Sequence, residues 1–242
     1  IPSLIFMFVP YSEALFYASG TILIFGLNKN KEVLVCLGLL LCSLDRAAST
    51  VLIPAVIITE LLTNDNLSNL IKLSIYYSFF SLLGLFGAFC IQYYYTNEWF
   101  SFFEAQKGWG NFLQFPSLPL RSWAGGNIER LDGSALIVGV IAIIVLTKWV
   151  VNFIKDNKIK IQRELIFSTL YLAGISLLVL LYRGGSLFSL NRFVYATPFF
   201  TVCLYCFLKG KNWNFKEIGL FMLGLTLYWL LFNSWVHIQT FF

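Results

Sequence analysis

Long apolar blocks separated by short polar breaks set the pattern of this chain. Leu73–Ile91 carries no charge, and the block extends from Ser68 to Tyr95. About twenty apolar residues in a helix cross the ~30 Å hydrocarbon core of a bilayer, so this block predicts a membrane span. Ser134–Thr147 continues past Lys148 to Ile154, Leu165–Tyr182 and Phe193–Leu208 are uncharged, and Ile218–Trp235 follows. Each predicts a further span, with Trp229 and Trp235 placed as interfacial anchors. The first sixty residues are less regular. Ala14–Leu27, Val33–Leu44 and Ser49–Leu62 are apolar but short, and Asp45-Arg46 separates the last two.

The polar breaks orient the helices. Lys155, Lys158, Lys160 and Arg163 lie in one break and Lys209, Lys211 and Lys216 in another, and basic loops stay on the cytoplasmic side. Alternation then puts Thr96–Gly133 and Arg183–Arg192 outside. If Asp45-Arg46 is a turn between two helices, the Lys29/Lys31 loop is also inside and every basic loop agrees. If it lies within one helix, Lys29 and Lys31 land on the wrong side. The pattern therefore predicts an all-α, polytopic transmembrane bundle of about seven hydrophobic helices, with a turn at Asp45-Arg46. Residues 1–242 read as a single membrane domain, expected to be the C-terminal part of a longer protein because the chain opens at Ile1 without a basic leader. Glu13, Asp45, Arg46, the Thr96–Gly133 loop, Arg183 and Arg192 gather on the extracytoplasmic face.

Composition excludes the soluble alternative. Charged residues make up 12% of the chain, about half what a water-exposed surface needs, and mean hydropathy is +0.76. The net charge of +5 sits in the short loops, where topology accounts for it and no nucleic-acid partner is implied. Cys36, Cys42, Cys90, Cys203 and Cys206 all lie in apolar runs, and His237 is the sole histidine. Such cysteines read as helix filler rather than a metal or redox site. Asn66-Leu67-Ser68 is a formal sequon of a kind that usually arises by chance. Phosphate-loop, dinucleotide-glycine, Ser/His/Asp and metal-cluster patterns are lacking, and no cofactor or metal is expected.

Four places carry candidate chemistry. Glu13 opens an apolar helix, either as a capping acid or as a functional carboxylate. Arg46 is either self-neutralised by Asp45 or suited to grip phosphate with its planar fork. The segment Trp99–Trp109 mixes aromatic residues with Glu104, Gln106 and Lys107, which predicts a helix lying in the interface. Pro116, Pro119 and Gly125-Gly126 then break regular structure. Arg183 and Arg192 bracket a short outer loop, as snorkelling anchors or as anion ligands.

The run PYSEALFYASG and the later LCSLDRAASTVLIPAVI resemble membrane mannosyltransferases of the PIG-V type (GPI mannosyltransferase 2 and its bacterial relatives). FFEAQKGWGNF resembles that family's outer-loop Ala-Gln-x-x-Trp-Gly stretch, and Asn191-Arg192-Phe193 with Pro198 its late arginine motif. The resemblance implies a GT-C fold glycosyltransferase using a polyprenyl-phosphate sugar donor on the extracytoplasmic or lumenal face, in a bacterial inner membrane or the endoplasmic reticulum. It implies that Arg46 and Arg192 neutralise the donor phosphate, that Gln106 and Trp109 shape the donor or acceptor site, and that Glu13 orients polar groups. Arg46→Ala is then expected to harm activity far more than folding. The family's catalytic aspartate, in its first outer loop, has no match here, so residues 1–242 alone are expected to be inactive. The family's Leu-Thr-Arg-Pro turn reads Leu44-Asp45-Arg46-Ala47. The alternatives are a transporter or lipid flippase fragment, with the outer arginines as ligands, and a non-catalytic membrane subunit.

Overall fold

A computed structural model describes residues 12–46, 49–64, 66–122, 126–156 and 161–209. The expected span Ile218–Trp235 lies outside them. The described residues form helices α1 (Glu13–Asn28), α2 (Glu32–Asp45), α3 (Ser49–Thr63), α4 (Leu67–Thr96), α5 (Ser101–Gly108), α6 (Gly126–Asp156), α7 (Arg163–Tyr182), α8 (Leu190–Tyr195) and α9 (Pro198–Lys209). No strand forms among them; one isolated bridge joins Arg121 and Ser186.

Local chemistry sets the breaks. At the end of α1, Asn30 turns left-handed (φ 51°) and the Lys31 N–H bonds back to the Gly26 carbonyl at 2.9 Å. This closure caps the last carbonyls of the helix, and asparagine tolerates the conformation it needs. Asn66, the first residue of the formal sequon, caps α4 by accepting the Ser68 N–H at 3.0 Å. Arg46 is extended (φ −143°, ψ 152°), so α2 ends at Asp45 and α3 is a separate helix, as the charge pattern requires.

Two expectations change. Phe193–Leu208 is not one helix: α8 ends at Tyr195 and α9 starts at Pro198. Proline has no N–H to continue the ladder but fits the first position of a new helix. The long loop after α4 is also shorter than Thr96–Gly133, because α6 already begins at Gly126. Among the described residues three helices are long and apolar enough to cross a membrane: Leu67–Thr96, Ile128–Lys155 and Arg163–Tyr182. The other apolar helices run 16, 14, 15 and 12 residues, below the ~20 needed for a full crossing. About seven crossings are therefore not reached among the described residues.

Helix α7 is the centre of the bundle. Its apolar window is 56% buried, against 17% for α4 and α6, which turn Ile75, Phe79, Leu82, Phe86, Ile137 and Ile144 outward. A soluble helix would not expose such residues in a row; lipid solvates them. α3, α6 and α9 pack on α7, while α1 and α2 form a hairpin that α4 covers. A Cβ on Gly38 would lie 2.6 Å from Leu23, so glycine is what lets α1 and α2 approach. Phe16, Phe167, Tyr171 and Phe199 form the aromatic heart, with Tyr171 and Phe199 centroids 4.3 Å apart.

One end of the bundle is tied by a buried ion pair. Glu60 of α3 is fully buried and pairs with Arg163 at the start of α7, and the Asn64 amide donates to the same carboxylate. Arg163 also donates to Asn30 (2.8 Å), and Asn28 donates to Glu164 (2.6 Å). These contacts bring the α1–α2 turn, the α3–α4 turn and the start of α7 to one side. The residues flagged as candidate chemistry lie at the opposite end.

Candidate functional site

Three distant segments meet on one carboxylate. Glu13, the first residue of α1, is 1% exposed. Its Oε1 pairs with Arg46 Nη2 at 3.1 Å and accepts from Arg192 Nε at 2.8 Å, with a closer contact to Arg192 Nη2. Glu13 spends this oxygen on the two arginines rather than on the helix start, and Ser12 at the N-cap makes no side-chain cap bond either. Its hydroxyl neighbour Ser12 instead accepts from Arg46 Nε at 3.1 Å. Glu13 Oε2 is buried without a hydrogen-bond partner, as is Ser49 Oγ across the α2–α3 turn.

Aromatic rings frame the cluster. Arg46 lies 5.0 Å from the Phe16 centroid and 5.7 Å from that of Phe193. Phe16 follows Glu13 by three residues, so the same face of α1 carries the carboxylate and the ring below it. Asp45 Oδ2 stands 3.6 Å from Arg46 Nε. Burial pushes the Asp45 carboxyl up to about 6; Arg46 opposes the rise and Glu13 adds to it. With Asp45 ionised, two carboxylates and two guanidiniums cancel, and the cluster carries no net charge.

A second network fixes α8, which carries Arg192. Asp132, in the second turn of α6, is fully buried. It accepts the Ser122 hydroxyl at 2.6 Å and both the backbone N–H (2.9 Å) and the side-chain amide (2.7 Å) of Asn191. Ser134 and Tyr195 join hydroxyls at 2.8 Å beside it. These bonds hold α8 against α6, so Arg192 is aimed at Glu13 by a neighbour rather than by its own helix.

Arg183, just past α7, lies 5.8 Å from the Phe193 centroid and donates to the Phe188 carbonyl. It shares that ring with Arg46. Burial pulls its guanidinium below the ordinary value, Asp132 works against this, and Arg192 adds to it. Gln106 and Trp109 stay apart. Gln106 accepts the Asn111 amide at 2.6 Å and Trp109 is 67% exposed. α5 leans on α4 through Phe89, Phe100 and Phe103, while Trp99 stacks on Tyr93 at 4.5 Å. With Phe115 and Leu118 almost wholly exposed, this segment has the apolar surface of an interfacial element.

Sequence reasoning passed over Asp132, Glu60 and Arg121. Glu60 carried a readable signal, since an acid inside an apolar helix calls for a partner. Asp132 sat in what reads as a loop, and nothing in its neighbours pointed to Asn191. Among the described residues no group of three or more His, Cys, Asp or Glu side chains is placed to hold a metal.

Compared with protein-family models, curated proteins and solved structures, the chain finds no match. Among the described residues, fold and site define an all-helical bundle with three helices long and apolar enough to cross a membrane and a buried carboxylate–guanidinium cluster at one end.

Proposed function

We propose that the chain is a membrane glycosyltransferase, most specifically a mannosyltransferase, that takes a sugar from a polyprenyl-phosphate donor on the extracytoplasmic face. The observation that carries this reading is the convergence of Glu13, Arg46 and Arg192. These residues come from the PYSEALF, LDR and NRF stretches on which the family resemblance rests, and they meet within hydrogen-bonding distance. Separate anchors scattered along three helices would have no reason to share one carboxylate.

In this reading Glu13 holds two guanidiniums in fixed orientation. Each has five N–H donors, more than one carboxylate oxygen engages. Pre-set donors at a departing phosphate lower the barrier because they need no reorganisation as charge develops. Membranes supplied with radiolabelled polyprenyl-phosphate mannose are expected to pass label to a non-polyprenyl acceptor when residues 1–242 are part of a protein that also carries the family's outer-loop aspartate, and Glu13→Gln is expected to stop it. If label stays on the donor while a fluorescent polyprenyl lipid changes leaflet, the flippase alternative replaces this one.

A further inference from the structure

Beyond the Glu13 cluster, the same end of the bundle holds a polar pocket of about 260 Å³ between the α5–α6 connection and the α7–α8 turn. Ser117, Arg121, Arg183, Gly185 and Ser186 line it. The two walls are joined by backbone bonds: Ser117 N–H to the Gly184 carbonyl (3.0 Å) and Leu187 N–H to the Arg121 carbonyl (2.9 Å). Gly185 is left-handed (φ 93°), and a Cβ there would stand 2.6 Å from the Ser117 carbonyl oxygen. Glycine thus keeps the walls close and the pocket floor bare.

An acid lining is what the pocket lacks. The four ion pairs among the described residues use Arg46, Arg163 and Arg192; neither Arg121 nor Arg183 is in one. The acid nearest in effect to Arg183 is Asp132, whose two oxygens are already taken by Ser122 and Asn191. Arg183 directs one donor to Phe188, which leaves most of its fork unused. The Glu13 cluster is neutral, and Asp132, bonded only to neutral donors, offsets one of the two guanidiniums here, which leaves one positive charge at the pocket. Two forked guanidiniums match the several oxygens of a phosphate better than the two of a carboxylate. Pockets for drug-sized ligands run about 300–1,000 Å³, so this one suits a headgroup rather than a whole molecule.

We propose that Arg121 and Arg183, with the Ser117 and Ser186 walls, form a binding site for a phosphate group. The site deepens the transferase reading by adding a phosphate contact beside that of Arg46 and Arg192, and it rests on that reading only for one choice of probe. The full chain in phosphatidylcholine nanodiscs is titrated with inorganic phosphate, with phosphatidylglycerol and with a polyprenyl phosphate, and bound ligand is read by native mass spectrometry. Binding of any of the three is expected, and which one binds separates a free anion, a bulk headgroup and a carrier lipid as the source. Arg121→Gln should weaken that binding about tenfold or more, the loss of one charge-assisted contact. Arg121 is exposed, so thermal unfolding of this variant should match the parent, and Arg183→Gln serves as the second variant. No binding of any probe, or binding unchanged in Arg121→Gln, overturns the site. Sugar transfer is not read in this experiment, so its loss or presence leaves the result standing.

Discussion

At the scale of single residues, Glu13 changes what Arg46 is for. Considered alone, an arginine in an apolar stretch needs an opposite charge, and a lipid phosphate was one supplier. Glu13 is another, and it is already in place. Removing one member of a buried pair leaves an uncompensated charge and costs about 3–5 kcal/mol, much of it desolvation without return. Glu13→Ala takes the shared acid from two guanidiniums and leaves Arg46 to Asp45, whereas Arg46→Ala leaves Glu13 with Arg192. Thermal unfolding in detergent is therefore expected to rank Glu13→Ala as more damaging than either Arg46→Ala or Arg192→Ala. Equal, small losses for all three would show that the cluster does not support the fold.

Asp45 gives the cluster a pH dependence of unusual sign. Its folded value, about 6, lies above the ordinary 3.8 because burial disfavours the charged form. The folded state thus holds its proton more tightly than the unfolded one. The stability it contributes is fully present below the ordinary value and is lost as pH rises through about 6. Acidifying from pH 7 to 5 should raise the unfolding temperature of the parent more than that of Asp45→Asn. Parallel curves for the two proteins would remove Asp45 as the titrating group.

At the scale of elements, close helix approach rather than a broad apolar stripe joins α1 to α2. Gly38 sits against the Leu23 backbone, where a Cβ would stand 2.6–2.7 Å away. Backbone cannot rotate out of the way as a side-chain tip can, so Gly38→Ala must separate the helices. Overpacking of this kind costs about 1–3 kcal/mol, and the α1–α2 hairpin presents both Glu13 and Asp45. Gly38→Ala is expected to lower the detergent unfolding temperature and to weaken the Glu13 cluster with it. A variant as stable as the parent would mean the hairpin can relax.

For the whole molecule, the two polar ends are chemically different. One is the Glu60–Arg163 tie with its asparagines, which leaves no net charge on the pair. The other holds the Glu13 cluster, Asp132 and the arginine pocket. The positive-inside pattern predicts that the first end faces the cytoplasm. With an impermeant thiol reagent applied from outside, Leu118→Cys should label in intact cells and Gln162→Cys only after permeabilisation, each in a background without competing reactive thiols. The reverse pattern would put the arginine pocket in the cytoplasm and remove the extracytoplasmic donor with it.

The chain's own residues were enough to determine the class of fold, the break at Asp45-Arg46 and the gathering of Glu13, Arg46 and Arg192 at one end. Those features follow from local rules: apolar length, loop charge, and the cost of a charge in lipid. The split of Phe193–Leu208 was legible too, because Pro198 stood in it, yet hydropathy alone ran past it. What only the tertiary structure decided is which charge meets which. Partner choice depends on contacts between residues 179 positions apart for Glu13 and Arg192 and 59 apart for Asp132 and Asn191, and no periodicity along the chain encodes such a distance. For the same reason Arg46 and Arg192 both meet Glu13, while Arg183 and the overlooked Arg121 stand in none of the ion pairs among the described residues.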